Sequence, residues 1–391
     1  DEYVLFWQAL QPMTEELVVS LRLLDVQGLV VGQTDRRPAG YLYPTSRWRP
    51  GEVIPGRGRL PASPGLPPGE YYLEIRAYAP GHLDGLDILD TSGAPQGKAT
   101  VAGPFLIAEA GRTFSGETLG LPLALNYEWE GRLALRSMSR LPASIAVGET
   151  LLVELGWECL APTAQPWSAT VKLRPAGGKA LGAVEQDLLV LSFYPTDQWR
   201  AGEWLHARVL IRAPAYWPAG PADVLLTVSP NGPAFPPIRL GQVMVRVPDR
   251  TFEPPAGGVP VGALTEAGIR LHSYTLEPAR PAAGAPVTLT LYWQPERELY
   301  ESYTVFAQAL DASGKVVAQY DRTPAEGTRP TTGWVPGEFI ADRYRFEAWP
   351  AGGSLLVGLY ETRREGLRRL SWTGPAGEPL GDALHLAAPS P

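Results

Sequence analysis

Along the last third of the chain, apolar and polar side chains alternate in short runs. Val287-Thr288-Leu289-Thr290-Leu291-Tyr292-Trp293 is the clearest of them, and its period of two is that of a half-buried strand. With further runs over residues 269–274, 303–310, 315–320, 339–348, 354–361, 367–372 and 383–386, the pattern predicts about eight strands. Asp311-Ala312-Ser313-Gly314, between two of these runs, reads as a tight hairpin turn in which glycine can take a positive φ. Turn residues recur throughout and no amphipathic helix is visible. The expectation is an all-β chain built from immunoglobulin-like or fibronectin-III-like β-sandwiches.

The pattern repeats. Displaced by 286 residues, Trp7 to Glu52 lies over Trp293 to Glu338 without a gap. The matches include Leu24-Asp25 with Leu310-Asp311, Gly28 with Gly314, and Pro50-Gly51-Glu52 with Pro336-Gly337-Glu338. Displaced by 151, Tyr43-Pro44-Thr45-Ser46-Arg47-Trp48 falls on Tyr194-Pro195-Thr196-Asp197-Gln198-Trp199. One frame thus occurs three times: Pro-Thr, a tryptophan three positions on, Gly-Glu, and an arginine five positions after the glutamate. Its members are Trp48, Glu52 and Arg57; Trp199, Glu203 and Arg208; and Trp334, Glu338 and Arg343. Arg112-Thr113-Phe114 and Arg250-Thr251-Phe252 repeat at the junctions. Units this long read as three tandem domains over 1–111, 112–249 and 250–391, the second more divergent.

The first unit is short at its start. Trp157 and Trp293 each follow a strand of their own unit, expected over 132–137 and 269–274, whereas only six residues precede Trp7. The expectation is that unit one lacks its opening strand, which leaves a sheet edge exposed, and that the chain begins inside a domain.

Composition narrows the chemistry. The chain of 391 residues is 45% apolar and carries a net charge of −7 with no basic stretch, which argues against nucleic acid as a partner. Gly (42) and Pro (41) suit many tight turns. The single cysteine, Cys159, allows no intrachain disulfide, and no apolar run approaches the ~20 residues of a membrane helix. No phosphate loop, dinucleotide fingerprint or serine-hydrolase elbow occurs, so no cofactor and no catalytic residue is expected. His82, His206, His272 and His385 lack metal-ligand spacing. Asp84, Asp87 and Asp90 could supply oxygens to Ca²⁺ but read better as a solvated turn. Asp35 with Glu52, and Asp321 with Glu338, are the carboxylate pairs a glycosidase would need, yet their duplication speaks for architecture.

The run from Tyr303 to Asp311, then Gly314-Lys315-Val316-Val317, Asp321, Pro324, Thr331, Trp334, Pro336-Gly337-Glu338, Asp342-Arg343 and Val357-Gly358-Leu359-Tyr360, resembles a known family. It is similar to the soluble C-terminal region of bacterial multi-pass membrane glycosyltransferases of the mannosyltransferase-like type, and to modules of exported proteins. The resemblance implies a non-catalytic module outside the cytoplasm, tethered through a membrane region that precedes it. Its implied work is as a spacer, assembly or recognition region, with glycans or envelope proteins as partners. Two alternatives stand beside this: a carbohydrate-binding array stacking sugars on Trp48, Trp199 and Trp334, and a hydrolase with carboxylates in an inter-domain cleft. The frame reads best as structural, each indole closing one end of a sandwich with its Glu and Arg pairing nearby. A regular strand would put Glu52 and Arg57 on opposite faces, so their pairing needs a bend at Pro55-Gly56.

Overall fold

Val287–Pro295 buries Val287, Leu289, Leu291 and Trp293 while its intervening side chains face outward or pack sideways, so it needs a second sheet to cover the apolar face. The same logic operates in each unit. The computed structural model describes residues 2–80, 85–89, 91, 93, 95–108, 116–176, 178, 186–187, 194–363 and 366–387.

Unit one contains β1 (Glu2–Gln8), β2 (Val18–Leu24), β3 (Val30–Arg36), β4 (Val53–Arg59), β5 (Gly69–Tyr78), β6 (Ile88–Leu89), β7 (Pro95–Gly97) and β8 (Thr100–Ile107). Unit two contains β9 (Leu123–Trp129), β10 (Leu133–Met138), β11 (Ser144–Ala146), β12 (Thr150–Cys159), β13 (Ser168–Pro175), β14 (Gln186–Asp187), β15 (Trp204–Arg212), β16 (Gly220–Ser229) and β17 (Ile238–Arg246). Unit three contains β18 (Val259–Thr265), β19 (Ile269–Glu277), β20 (Val287–Pro295), β21 (Thr304–Leu310), β22 (Val316–Arg322), β23 (Ile340–Phe346), β24 (Ser354–Arg363), β25 (Gly366–Arg369), β26 (Trp372–Thr373), β27 (Pro379–Gly381) and β28 (Leu384–Ala387).

Each unit is a two-sheet sandwich. In unit two the sheets run β15-β12-β10-β9 and β11-β17-β16-β13-β14. In unit three they run β23-β20-β19-β18-β26-β27 and β22-β21-β24-β25, with β28 also on β24. In unit one the second sheet is β3-β2-β5-β8, but the first has two strands alone, β1 and β4. By position, β1 and β4 are the counterparts of β12 and β15 and of β20 and β23. Among the described residues the first unit therefore has no counterpart of β10 and β19. The chain is all-β: three tandem immunoglobulin/fibronectin-III-like sandwiches, the first without its opening strand.

Two details differ from the sequence reading. Units two and three open with a hairpin rather than one strand, because β9 and β18 precede β10 and β19. Pro260 and Gly262 disguise β18: its pairing shifts register between Pro260 and Ala263, where Gly262 sits at φ +70. The Pro- and Gly-rich stretch from Phe252 to Pro260 consequently ends inside a sheet.

The cores differ in size. Units two and three each bury one large apolar cluster, centred on Trp157 and Trp293, both with no exposed surface. In unit one the buried apolar residues form two small groups, Val19, Leu21, Leu23, Val31, Leu60 and Tyr71 in one, and Ala9, Trp48 and Ile54 in the other.

Candidate functional site

The repeated frame is the natural place to look for chemistry, and it forms the same small structure three times. Pro-Thr opens a single 3₁₀ turn, Thr45–Arg47, Thr196–Gln198 or Thr331–Gly333. Each threonine hydroxyl accepts a bond from a backbone N–H of the facing loop: Leu17 to Thr45 (2.9 Å), Trp167 to Thr196 (2.7 Å) and Tyr303 to Thr331 (3.0 Å). The indole N–H then folds back on the residue before the proline. Trp48 donates to the Tyr43 carbonyl, Trp199 to that of Tyr194 and Trp334 to that of Arg329, each at 3.1 Å. All three rings are buried, with 6%, 2% and 0% of their surface exposed. A ring that stacks on a sugar must present a face to solvent, so the carbohydrate-binding array built on these tryptophans is not what the structure contains.

The glutamate closes the turn from the other side. Glu52 accepts the Tyr43 hydroxyl (2.7 Å) and the Arg49 N–H (3.1 Å), and these bonds, the tyrosine's first, hold its carboxyl below the usual range. Glu203 repeats the arrangement with the Tyr194 hydroxyl (2.7 Å) and the Arg200 N–H (2.9 Å). In unit three the tyrosine is replaced by Arg329. Glu338, with no exposed surface, takes the guanidinium groups of Arg329 and Arg250 together with the Val335 N–H.

The expected pairing of Glu52 with Arg57, Glu203 with Arg208, and Glu338 with Arg343 is not found. β4 pairs with β1 residue for residue from Gln8–Val53 to Glu2–Arg59, so no bend at Pro55-Gly56 brings Arg57 round. Arg57 is exposed on β4. Arg208 turns to Glu154 (3.4 Å) and to His206 Nδ1 (3.1 Å), beside Asp25 and Tyr71 of unit one. Arg343 lies exposed on β23, opposite Thr290 of β20.

Beside Arg329, three residues that the sequence reading passed over do the holding: Tyr43, Tyr194 and Arg250. Their signals were present, since Tyr-Pro belongs to the match between units one and two and Arg250 to the repeated junction. Arg250 also fastens one unit to the next. Its second Nη donates to the Ala215 carbonyl of unit two at 2.8 Å, while its first reaches Glu338 at 2.6 Å. Beside it Thr332 donates to the Gly148 carbonyl (2.8 Å), and the backbones of Gly148 and Gly333 touch so closely that a Cβ on either would overlap the other strand. Unit one is fastened to unit two by the His206 N–H, which donates to the Gly65 carbonyl at 2.8 Å.

Units one and three also meet. Gly97 packs against Leu367, and a cavity of about 650 Å³ opens between the units, lined by Glu74, Arg76, Lys98, Asp321, Tyr360 and Arg369 among others. Its carboxylates are mostly engaged: Glu74 with Arg76 (2.8 Å), Asp87 with Lys98 (2.8 Å) and Asp382 with Arg369 (3.7 Å). The proposed pairs do not assemble there. Glu338 lies in the buried frame, and Asp35 bonds Gln33 (2.8 Å) on β3, away from the Glu52 turn.

Of the remaining candidates, His206 is buried with Nε2 3.2 Å from Glu154, and the imidazole beside that carboxyl, the largest influence, lowers the Glu154 pKa. His272 contacts Ser273 and the edge of Phe339; His385 is exposed on β28. Burial pushes the Cys159 thiol up to about 11, the opposite of activation. His82, Asp84 and Asp90 lie outside the described residues, and Asp87 is the partner of Lys98. Among the described residues, no group of three or more His, Cys, Asp or Glu side chains could hold a metal ion, and no helix is long and apolar enough to cross a membrane.

No family model matches the chain, and no curated protein matches it. Among solved structures it is similar to the crystal structure of chicken CNTN1 FN1-FN3 domains, with 9% identity over 96% of this chain and 90% of that one, at a TM-score of 0.24. The class follows from the strand order itself: a tandem array of β-sandwich modules.

Proposed function

We propose that the chain is a non-catalytic scaffold module, displayed outside the cytoplasm as part of a larger membrane-associated protein, and that its work is assembly or recognition. The observation that carries this is the fate of the repeated chemistry. In all three units the indole, the hydroxyl and the carboxylate of the frame are bonded inward, to backbone or to neighbouring side chains, and in unit three the carboxylate holds Arg250, which bonds across to Ala215 of unit two. Residues held this way fix the loops at one end of each sandwich. Of the three roles considered, a spacer is the least supported, because unit one folds against unit three and shortens the reach of the array.

The resemblance to the C-terminal regions of membrane glycosyltransferases supports attachment to such an enzyme, with glycans or envelope proteins as the partners. The test is protease accessibility on intact spheroplasts, read with an antibody against unit three. Cleavage without lysis is expected, with the antigen sedimenting with membranes; an antigen that is protected and recovered from the soluble cytoplasmic fraction overturns the proposal. Incubation with a panel of glycosides should release no product, and release that disappears in an Asp321→Asn variant would establish the hydrolase reading instead.

A further inference from the structure

Alternation along β21 and β24 sends Val305, Ala307, Val357 and Leu359 into the core of unit three, and so puts Phe306, Gln308 and Tyr360 on the outer face of the same sheet. Gln319 and Asp321 of β22 and Arg369 of β25 extend that face. It is one wall of the cavity of about 650 Å³. The other wall comes from unit one, with Glu74 and Arg76 of β5 and Lys98 after β7. The volume is that of a small-ligand site.

The ion pairs of the lining each close within one unit: Glu74 with Arg76 and Asp87 with Lys98 in the first (both 2.8 Å), Asp382 with Arg369 (3.7 Å) and Arg363 with Glu361 in the third. None of these pairs ties the walls together, and the mixture leaves no excess of one sign to draw a polyanion or a polycation. Asp321 is different. Among the described residues it makes no ion pair, although Lys98 of the far wall and Arg369 lie close enough to act on it. The protein around it raises its carboxyl above the ordinary value, against the Tyr360 hydroxyl, which lowers it.

Unit one carries the same three residues wired otherwise. Gln33, Asp35 and Tyr78 stand at the strand positions of Gln319, Asp321 and Tyr360. Gln33 donates to Asp35 at 2.8 Å and occupies that carboxylate. In unit three Gln308, at the position of Arg22, donates to Gln319 instead (3.3 Å), and Asp321 is left to the space between the units. Arg369 stands 4.5 Å over the Phe306 ring, on which Tyr360 also stacks. The wall therefore offers positioned hydrogen-bonding groups and not an open aromatic face.

We propose that this cavity binds a short neutral oligosaccharide between units one and three. Asp321 and the paired amides of Gln308 and Gln319 meet its hydroxyl groups from one side, Arg76 and Lys98 from the other. Each sugar hydroxyl both donates and accepts, so it calls for a wall that mixes carboxylate, amide and guanidinium without net charge. The site deepens the recognition role proposed above and rests on it. The two fail separately: an array found outside the cytoplasm that binds no sugar refutes the site alone, and a cytoplasmic array that binds one refutes the location alone.

Ligand-observed NMR and titration calorimetry with mannotriose, maltotriose, cellotriose and triacetylchitotriose test it. At least one is expected to bind, with a dissociation constant of about 0.1–10 mM. Asp321→Ala on one wall and Arg76→Ala on the other should each weaken that binding roughly tenfold or more. Asp35→Ala, which removes the matching carboxylate outside the cavity, should leave it unchanged. The site is overturned if none of the four sugars binds, if binding survives both cavity substitutions, or if inorganic phosphate or putrescine displaces the sugar.

Discussion

Units one and three share the most sequence, yet they stabilise the same corner by different means. At the positions where unit three has Asp342 and Tyr344 on β23, unit one has Gly56 and Gly58 on β4. Asp342 is buried and accepts the Trp293 indole N–H (3.3 Å), the Tyr344 hydroxyl (2.6 Å) and the Ala325 N–H (2.9 Å). In unit one a Cβ at Gly56 would lie 2.9 Å from Trp7 Nε1 and 2.1 Å from the Pro38 carbonyl oxygen, and one at Gly58 would meet the Tyr3 hydroxyl at 2.4 Å. The space of a polar network is thus filled by the side chains of β1 folding across a glycine strand. A buried network satisfied at every atom specifies one arrangement, whereas aromatic rings lying half-buried over glycine fill their corner by shape alone.

The largest expected contrast concerns the frame tryptophans. Trp334→Ala removes a fully buried ring from a continuous core and leaves the Arg329 carbonyl without its donor, so about 3–5 kcal/mol of unfolding free energy should be lost. Trp48 sits in a small cluster with Ala9 and Ile54, and Trp48→Ala should cost clearly less. Urea unfolding followed by unit-resolved hydrogen exchange measures both. Equal losses would mean that the two cores are equally continuous and would remove the distinction drawn above.

Next comes the glutamate. Glu338 compensates two guanidinium groups at a site with no exposed surface, so Glu338→Gln should destabilise unit three by about 3 kcal/mol and loosen its junction with unit two through Arg250. Glu52→Gln replaces a partly exposed acceptor that meets a tyrosine hydroxyl and a backbone N–H, and the unfolding midpoint should scarcely move. A loss at Glu52 as large as that at Glu338 would contradict the burial difference on which the comparison rests.

Much of this was legible in the sequence, and the boundary of legibility has a physical cause. The strands of unit three follow from alternation, since a side chain's face depends on its position alone. The three-fold Thr-Trp-Glu frame follows from self-comparison. What alternation does not carry is the partner of each charge. Arg57, Arg208 and Arg343 recur in register with the glutamates, yet unbroken strand registers send them to other faces, and the glutamates take a hydroxyl or the arginine of a junction. Contacts made by backbone carbonyls, such as those of Ala215, Gly65 and Gly148, leave no mark in side-chain identity at all.

One such contact sharpens the comparison further. The 3₁₀ turn of the frame exposes Ser46 and Arg47 in unit one, but in unit three it is buried against Gly148 and carries Thr332 and Gly333 instead. Gly333→Ala puts a Cβ 2.4 Å from the Val147 carbonyl oxygen, and overpacking of that kind costs about 1–3 kcal/mol. The expected result is a longer maximum dimension in small-angle scattering and faster cleavage near residue 250, with each sandwich still folded. Unchanged scattering would mean that the junction yields without separating.

The smallest effect is in the hairpin turn that both units share. Asp25 accepts the N–H groups of Gln27 and Leu29, and Asp311 those of Ser313 and Lys315, around Gly28 and Gly314 at φ +84 and +82. The surroundings differ. Burial, with Arg208 of unit two opposing it, raises the Asp25 carboxyl above its ordinary value, whereas bonds from the Ser313 hydroxyl and two N–H groups hold Asp311 below. A folded-state pKa that is raised means the native protein binds the proton more tightly than the unfolded chain. Asp25 therefore weakens unit one as the pH rises from the unfolded carboxyl value, about 4, through its higher folded value. Asp311 has the opposite sign: its contribution is present above about 4 and is lost as the pH falls through its lower folded value. Asparagine keeps the Oδ1 acceptor of the turn while removing the titration. Relative to Asp25→Asn, the native protein should become less stable between acid and neutral pH, and relative to Asp311→Asn it should become more stable. Two difference curves that slope the same way would show that the docking of unit one against unit two does not set the charge state of its turn.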